Sequence, residues 1–287
     1  WSSWMGDLVD ERERGIYFGK RNRITGFITF GSFVAAGYLL EHFSFARQTE
    51  YIGFMILFFL AIVARFISLV FLYKQYEPPY KGISKKYEFS FLDFLRQARF
   101  TNYGLFVIYL SCMNFAVYVA APFFTPYLLN GLQFNYLTFT VITSIAIIVK
   151  FLVMPIWGWA ADIHGNKKVL TVCGFIMPFV PLVWTLSTDF WYLVLVQIFS
   201  GFIWAGFEMA SFNFIFDTTT PQKRTTCIAY FNVLNGLAIL AGAMLGSFIV
   251  KFPPGHWSPY YAVFLVSFLL RYLSTLIFMP KIHEVRT

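Results

Sequence analysis

Gly158-Trp159-Ala160-Ala161-Asp162-Ile163-His164-Gly165-Asn166-Lys167-Lys168 is a short polar turn between two strongly apolar segments. It carries an acid, two glycines and a lysine pair in a chain that is otherwise 58% hydrophobic, 22% aromatic and only 13% charged. With a mean hydropathy of +0.64, no soluble domain is compatible with this composition. Outward from the turn the chain reads as eight apolar segments, at 24–41, 52–73, 102–128, 137–158, 169–187, 191–216, 227–250 and 260–279. Each approaches the roughly 20 residues that a hydrocarbon core demands of a helix. Lipid offers backbone amides no partner, so each segment must satisfy its own, as a helix does. Runs of this length without alternation argue against a barrel.

The spacing Gly-x-x-x-Asp-x-x-Gly-x-Lys-Lys resembles the loop signature of the major facilitator superfamily, which lies between the second and third helices of each six-helix half. The resemblance implies an all-α, polytopic helical bundle of two pseudo-repeated halves. In such transporters a small solute crosses by alternating access about a midplane site. It also implies that this loop is cytoplasmic and acts as a latch, with Asp162 meeting the start of a helix in the opposite half, here near Gly19 to Arg23. His164 departs from the pattern, standing where a basic or polar residue is common.

Taking that loop as cytoplasmic, seventeen of the twenty-two Lys and Arg residues collect on its side, and only Arg47 and Lys251 lie on the other. This is a strong positive-inside bias, and it places the C-terminus in the cytoplasm of a cell that carries the protein in its plasma or inner membrane. The net charge of +8 is then a matter of topology, with the anionic lipid bilayer as partner and no nucleic acid. Cys112, Cys173 and Cys227 lie in or beside apolar helices, which points away from a disulfide framework or a metal cluster.

The ends of the chain repeat. A shift of 210 residues lays Asp7, Arg14, Asn22 and Gly26 on Asp217, Arg224, Asn232 and Gly236, and Arg65-Phe-Ile-Ser68 falls on Arg271-Tyr-Leu-Ser274. Parallel halves account for this. In the twelve-helix arrangement of the family the eight segments become the fifth to twelfth, with residues 1–8 as the tail of the fourth. The expectation is therefore a fragment that lacks about three and a half helices. Its parts are 1–76, the end of one half; 77–100, a cytoplasmic linker; and 101–287, a six-helix half. At full length it is expected to be a monomer. Within the linker, Ser90-Phe-Leu-Asp93 has the N-cap pattern of a short helix, whose Phe91, Leu92, Phe94 and Leu95 would press on the membrane.

Several residues carry chemistry. Asp162, read as just past a helix end, is disfavoured there by the helix dipole by about 0.3–1 kcal/mol, so a partner must hold it. Gly158 and Gly165 allow the turn to pack closely, and Lys167 or Lys168 can reach Asp217. Gly26, Gly31 and Gly37, and the face formed by Ala238, Gly242 and Gly246, suit close helix packing. Arg65, Lys150, Glu208 and Arg271 lie deep in apolar segments, where each costs roughly 2.5–3.5 kcal/mol and needs protein or water around it. The repeat-equivalent Arg65 and Arg271 read as structural charges. Lys150 lies about 18 Å from Asp162 and Glu208 about 14 Å from Asp217 along their helices, so their depths match. They form either a self-satisfying pair, costly to break at about 3–5 kcal/mol, or parts of a site for substrate or protons. Trp204 shares Glu208's face with Gly201, Ser211 and Phe212. Asn114 with Tyr118, and Asn232 with Asn235, are further site candidates or else interhelical hydrogen bonds.

No phosphate-cradling Gly-rich loop is present, so energy is expected from a proton or solute gradient, with no cofactor. Three deep cations against one deep acid favour an anionic small-molecule solute. A membrane-embedded enzyme needs clustered acids, bases or nucleophiles at mid-depth, whereas His42, His164, His256 and His283 all lie at helix ends or in loops. The reading is therefore of a transporter and not an enzyme, with catalytic residues and metal ligands both none. A non-transporting solute sensor is the remaining alternative.

Overall fold

Every apolar run forms a helix, and the polar residues at their borders cap them. The computed structural model describes residues 14–44, 50–76, 90–253 and 258–285. Among these, eight helical spans are long and apolar enough to cross a membrane. We number the helices α1 (Arg14–Ser44), α2 (Glu50–Tyr73), α3 (Phe91–Ala98), α4 (Asn102–Ala120), α5 (Tyr136–His164), α6 (Asn166–Ile176), α7 (Phe179–Val183), α8 (Phe190–Thr218), α9 (Pro221–Lys251) and α10 (Pro259–Phe278). Thr101, Asn135 and Asp189 accept the backbone N–H groups of Gly104, Thr138 and Tyr192 at the starts of α4, α5 and α8, which satisfies amides that a helix leaves unpaired.

The helix borders differ from the sequence reading where glycine and proline act. α5 does not stop near residue 158 but absorbs most of the quoted turn and runs to His164. Asp162 therefore lies in its last turn, not beyond it. The break is Gly165 alone, at φ 89°, a backbone region that glycine enters without steric cost. α4 extends through short 3₁₀, α and π turns to Gly131 because Pro122 and Pro126 interrupt the regular bonding. Pro178 splits the fifth predicted segment into α6 and α7 in the same way.

Packing follows small residues and rings. α5 lies along α8, α4 along α9 and α10, and α1 along α5, while α2 packs on α1 and leaves its most apolar stretch unburied. At Gly242 and Gly246 of α9 an added Cβ would collide with the carbonyl oxygens of Phe115 and Val119 on α4, so glycine sets the approach of these two backbones. Phe106 and Phe214 pack with centroids 4.5 Å apart and rings tilted by 48° in the larger of two core clusters. In α3, Ser90 accepts the Leu92 N–H as its sequence pattern predicts. The four apolar residues expected to press on the membrane are not all free to do so: Phe94 is buried and packs, with Phe91, against Tyr230 of α9, and of the four only Leu92 and Leu95 stay exposed. The helix is so short that one face meets the bundle.

Residues 1–13 and 77–89, and with them the stub, Asp7 and most of the linker, lie outside the described residues, as do the side chains of Arg14, Asn22 and Arg23.

Candidate functional site

The quoted turn is the hub of one end of the bundle, although with different partners from those expected. Asn166, the first residue of α6, donates from Nδ2 to Asp217 Oδ2 at 2.7 Å and accepts from Asn213 Nδ2 at 3.4 Å. Neither Lys167 nor Lys168 pairs with Asp217. Successive helical residues turn by about 100°, so when Asn166 faces α8 the two lysines point elsewhere. The carboxylate at the α6 N-terminus is Glu284, whose Oε2 accepts the Lys167 N–H at 2.9 Å. That carboxylate also fills the space where a side chain on Gly165 would stand. The tail holding Glu284 is fixed by buried Ile282 and by a two-way exchange between Asn102 and the backbone of His283. Asp162 itself is exposed, and among the described residues Gly158 meets only Met209.

The opposite end is tied by another acid. Glu41 of α1 accepts the Tyr136 N–H at the start of α5 at 3.0 Å. Below that tie Gly37 meets Thr140 and Gly26 meets Phe151, so α1 and α5 run antiparallel at a constant register. Continued along both helices, this register brings Asp162 to the height of Gly15, about one turn beyond the 19–23 segment. The side chains there lie outside the described residues, so the expected partner of Asp162 does as well.

Lys150 and Glu208 meet. Lys150 Nζ lies 3.0 Å from Glu208 Oε2 and 3.3 Å from Oε1, as their matched depths suggest. The pair is not deep inside the bundle, because the side chains are 27% and 44% exposed. Of its proposed neighbours on α8, Phe212 is exposed as Glu208 is, whereas Gly201 packs against the backbone of Ala146 and Ser211 is buried. Trp204 instead lines a separate cavity.

This cavity, of about 260 Å³, lies between α4, α5, α7, α8 and α10. Thr125, Thr143, Gln197, Ser200 and Arg271 supply its polar groups, and Phe124, Trp184 and Trp204 supply aromatic wall. Counted along the helices, Arg271 stands about 18 Å from Pro259 and Ser200 about 15 Å from Phe190. Arg271 is 2% exposed. Its Nε donates to Ser267 Oγ at 3.0 Å and one terminal nitrogen donates to the Met177 carbonyl at 3.5 Å. The reason is local. Pro178 and Pro181 lack N–H groups, so the carbonyl of Gly174 loses its helical partner and that of Met177 keeps only the Val180 N–H at 3.1 Å. Thr275 donates to the first at 3.0 Å and Arg271 to the second. Ser267, Arg271 and Thr275, spaced four residues apart on α10, thus form a polar stripe, of which Arg271 and Thr275 reach the proline break and Ser267 donates to the Ala116 carbonyl of α4.

The other candidates remain apart from this cavity. Arg65 is exposed on α2, in unlike surroundings from its repeat-equivalent Arg271. Asn114 and Tyr118 are half-buried on α4, Asn232 is exposed, and Asn235 is half-buried with an unpaired Oδ1. The sequence reading missed Glu41, Asn166, Gln197, Ser200 and Glu284. Of these, only Gln197 and Ser200 left a trace, as polar residues one turn apart in an apolar helix. The cysteines are free thiols.

No curated protein matches the chain. The family model described as Major Facilitator Superfamily matches residues 106–286, which takes in well over half of the sequence and every residue that lines the cavity. With eight membrane-length helices beside that match, the chain belongs to the Major Facilitator Superfamily, a family of membrane transporters.

Proposed function

We propose that the protein is a secondary transporter that moves a small solute by alternating access, driven by a proton or solute gradient. On this reading the end bearing Gly165 and the C-terminus faces the cytoplasm, which the excess of Lys and Arg on that side supports. The observation that carries the reading is that α1, from one half, packs along α5, from the other, in an apolar bundle of membrane-length helices and is tied to it by a polar contact. Alternating access needs a site between the halves and closures that part when the halves rock. Glu41 on Tyr136 is such a closure, since it joins α1 to the start of α5. Asn166, Asp217 and Glu284 lie within the second half and hold the turn at its other end. The cavity inside that half offers donors, acceptors and a cation but no acid–base pair among its lining residues, which suits binding and release better than bond cleavage.

Lys150 and Glu208 form a switchable pair on this reading, able to exchange its internal contact for a proton or a solute group. The test is flux in proteoliposomes containing the full-length protein, with a panel of radiolabelled solutes and imposed proton or sodium gradients. Gradient-dependent uptake above that of protein-free vesicles is the expected result. Folded protein that binds solutes and moves none would establish a sensor instead.

A further inference from the structure

We infer that the cavity between α4, α5, α7, α8 and α10 is a binding site for a small organic carboxylate, with Arg271 as its cation and Gln197 and Ser200 as hydrogen-bonding partners. The first observation is a charge without a counter-charge. Arg271 is 2% exposed, and no carboxylate among the described residues lies within ion-pair distance of it. A buried charge normally has an ionic partner. The proline break explains one hydrogen bond of Arg271 but not its charge, since Thr275 satisfies the equivalent Gly174 carbonyl with a neutral hydroxyl. A guanidinium has five N–H donors, and Ser267 and Met177 use two of them.

The second observation is independent. Gln197 and Ser200 are 8% and 7% exposed. Both line the cavity, and neither side chain hydrogen-bonds to any protein group among the described residues. Buried amides and hydroxyls are almost always paired, so these two have capacity for a ligand. One planar cation matches one carboxylate, which it can hold through two parallel N–H···O bonds. A volume of about 260 Å³ greatly exceeds the roughly 30 Å³ occupied by a water molecule and is too roomy for a halide. The aromatic wall, with Phe124, Trp184 and Trp204, suits a short chain or a single ring carried by that carboxylate.

This inference goes beyond the transport reading, since the cavity lies wholly within the 101–287 half and not between the two halves, and it is tested by binding so that the two can fail separately. The full-length protein in lipid nanodiscs is titrated calorimetrically with acetate, butyrate and benzoate, each against its neutral amide, and with chloride. At least one carboxylate is expected to bind at least tenfold more tightly than both its amide and chloride. Arg271→Gln should weaken that binding at least tenfold, and Arg271→Lys should weaken it less. Ser200→Leu fills the cavity, leaves the bonds of Arg271 to Ser267 and Met177 in place, and should also abolish binding. It carries the test should Arg271→Gln not fold. The site is overturned if no carboxylate on the panel binds, if amide or chloride binds as well, or if binding survives Arg271→Gln or Ser200→Leu. Arg271-dependent binding in a protein that moves no solute leaves this site standing and defeats the transport reading. Flux with no Arg271-dependent binding does the reverse.

Discussion

Neutralising the Lys150–Glu208 pair separates a structural staple from a working contact, and its exposure sets the magnitude. At 3.0 Å between Nζ and Oε2, the bare attraction at an effective dielectric of about 20 is about 5.5 kcal/mol before desolvation. A fully buried pair would lose about 3–5 kcal/mol when one partner is removed, which is the sequence-based expectation. With side chains 27% and 44% exposed on a face that the transport reading opens to water, screening should bring the coupling down to about 1 kcal/mol. Lys150→Met and Glu208→Gln, singly and together, form a double-mutant cycle. Each single change should lower Tm by only about 2–4 °C, leaving well-folded protein for flux measurements in proteoliposomes. Both singles and the double variant are expected to fold and to transport poorly. A coupling of about 3–5 kcal/mol together with full flux from the doubly neutral protein would refute the reasoning and make the pair a staple.

The remaining predictions concern orientation, gating and packing. In a background without Cys112, Cys173 and Cys227, single cysteines at exposed Asn130 and Lys168 should label from opposite sides with an impermeant reagent; labelling of both from outside would overturn the orientation. Asp162→Asn should leave abundance near normal and strongly reduce flux, whereas normal flux would reduce the segment to a turn. Glu284→Gln removes a charged acceptor from the α6 N-terminus and should cost about 0.5–2 kcal/mol in thermal unfolding, and an unchanged Tm would show that the tail contact is incidental. Gly246→Leu should destabilise the protein by about 1–3 kcal/mol or more through collision with the Val119 carbonyl, while Gly31→Leu, with open space around Gly31, should be silent.

The eight spans were legible because lipid imposes a length and an apolar run that few soluble elements share. Their ends were less so. The quoted turn looked polar enough to be a loop, yet nothing in Ala160-Ala161-Asp162-Ile163-His164 prevents helical bonding, and only Gly165 adopts a backbone that ends it. Lys150 and Glu208 could be paired from sequence because depth and sign are both countable along a helix. Glu41, Asn166 and Glu284 could not, because their partners are set by which helix ends meet in space. Arg271 shows the middle case. Its depth was readable, but its surroundings depend on carbonyls left short of helical partners by Pro178 and Pro181 and on Gln197 and Ser200 from another helix. Repeat equivalence with Arg65 was a poor guide, because α2 leaves Arg65 exposed where α10 buries its counterpart.

The two end ties have the same chemistry, and this bears on how the protein can move. At each end a carboxylate from a distant part of the chain accepts an N–H at a helix start, Glu41 on Tyr136 and Glu284 on Lys167. Such charge-assisted bonds are worth roughly 1.5–3 kcal/mol each, and the helix dipole favours both in the same sense. On the transport reading, of these two only the Glu41 tie crosses between the halves, since Lys167 and Glu284 both lie in the 101–287 half, so opening that end breaks the Glu41 bond while the Glu284 bond moves with its half. A protein that must populate both open states needs a gap of only a few kcal/mol, because a solute can shift the balance by no more than its own differential affinity. One bond of this size meets that need, whereas a network of strong salt bridges across the same boundary would lock the bundle there.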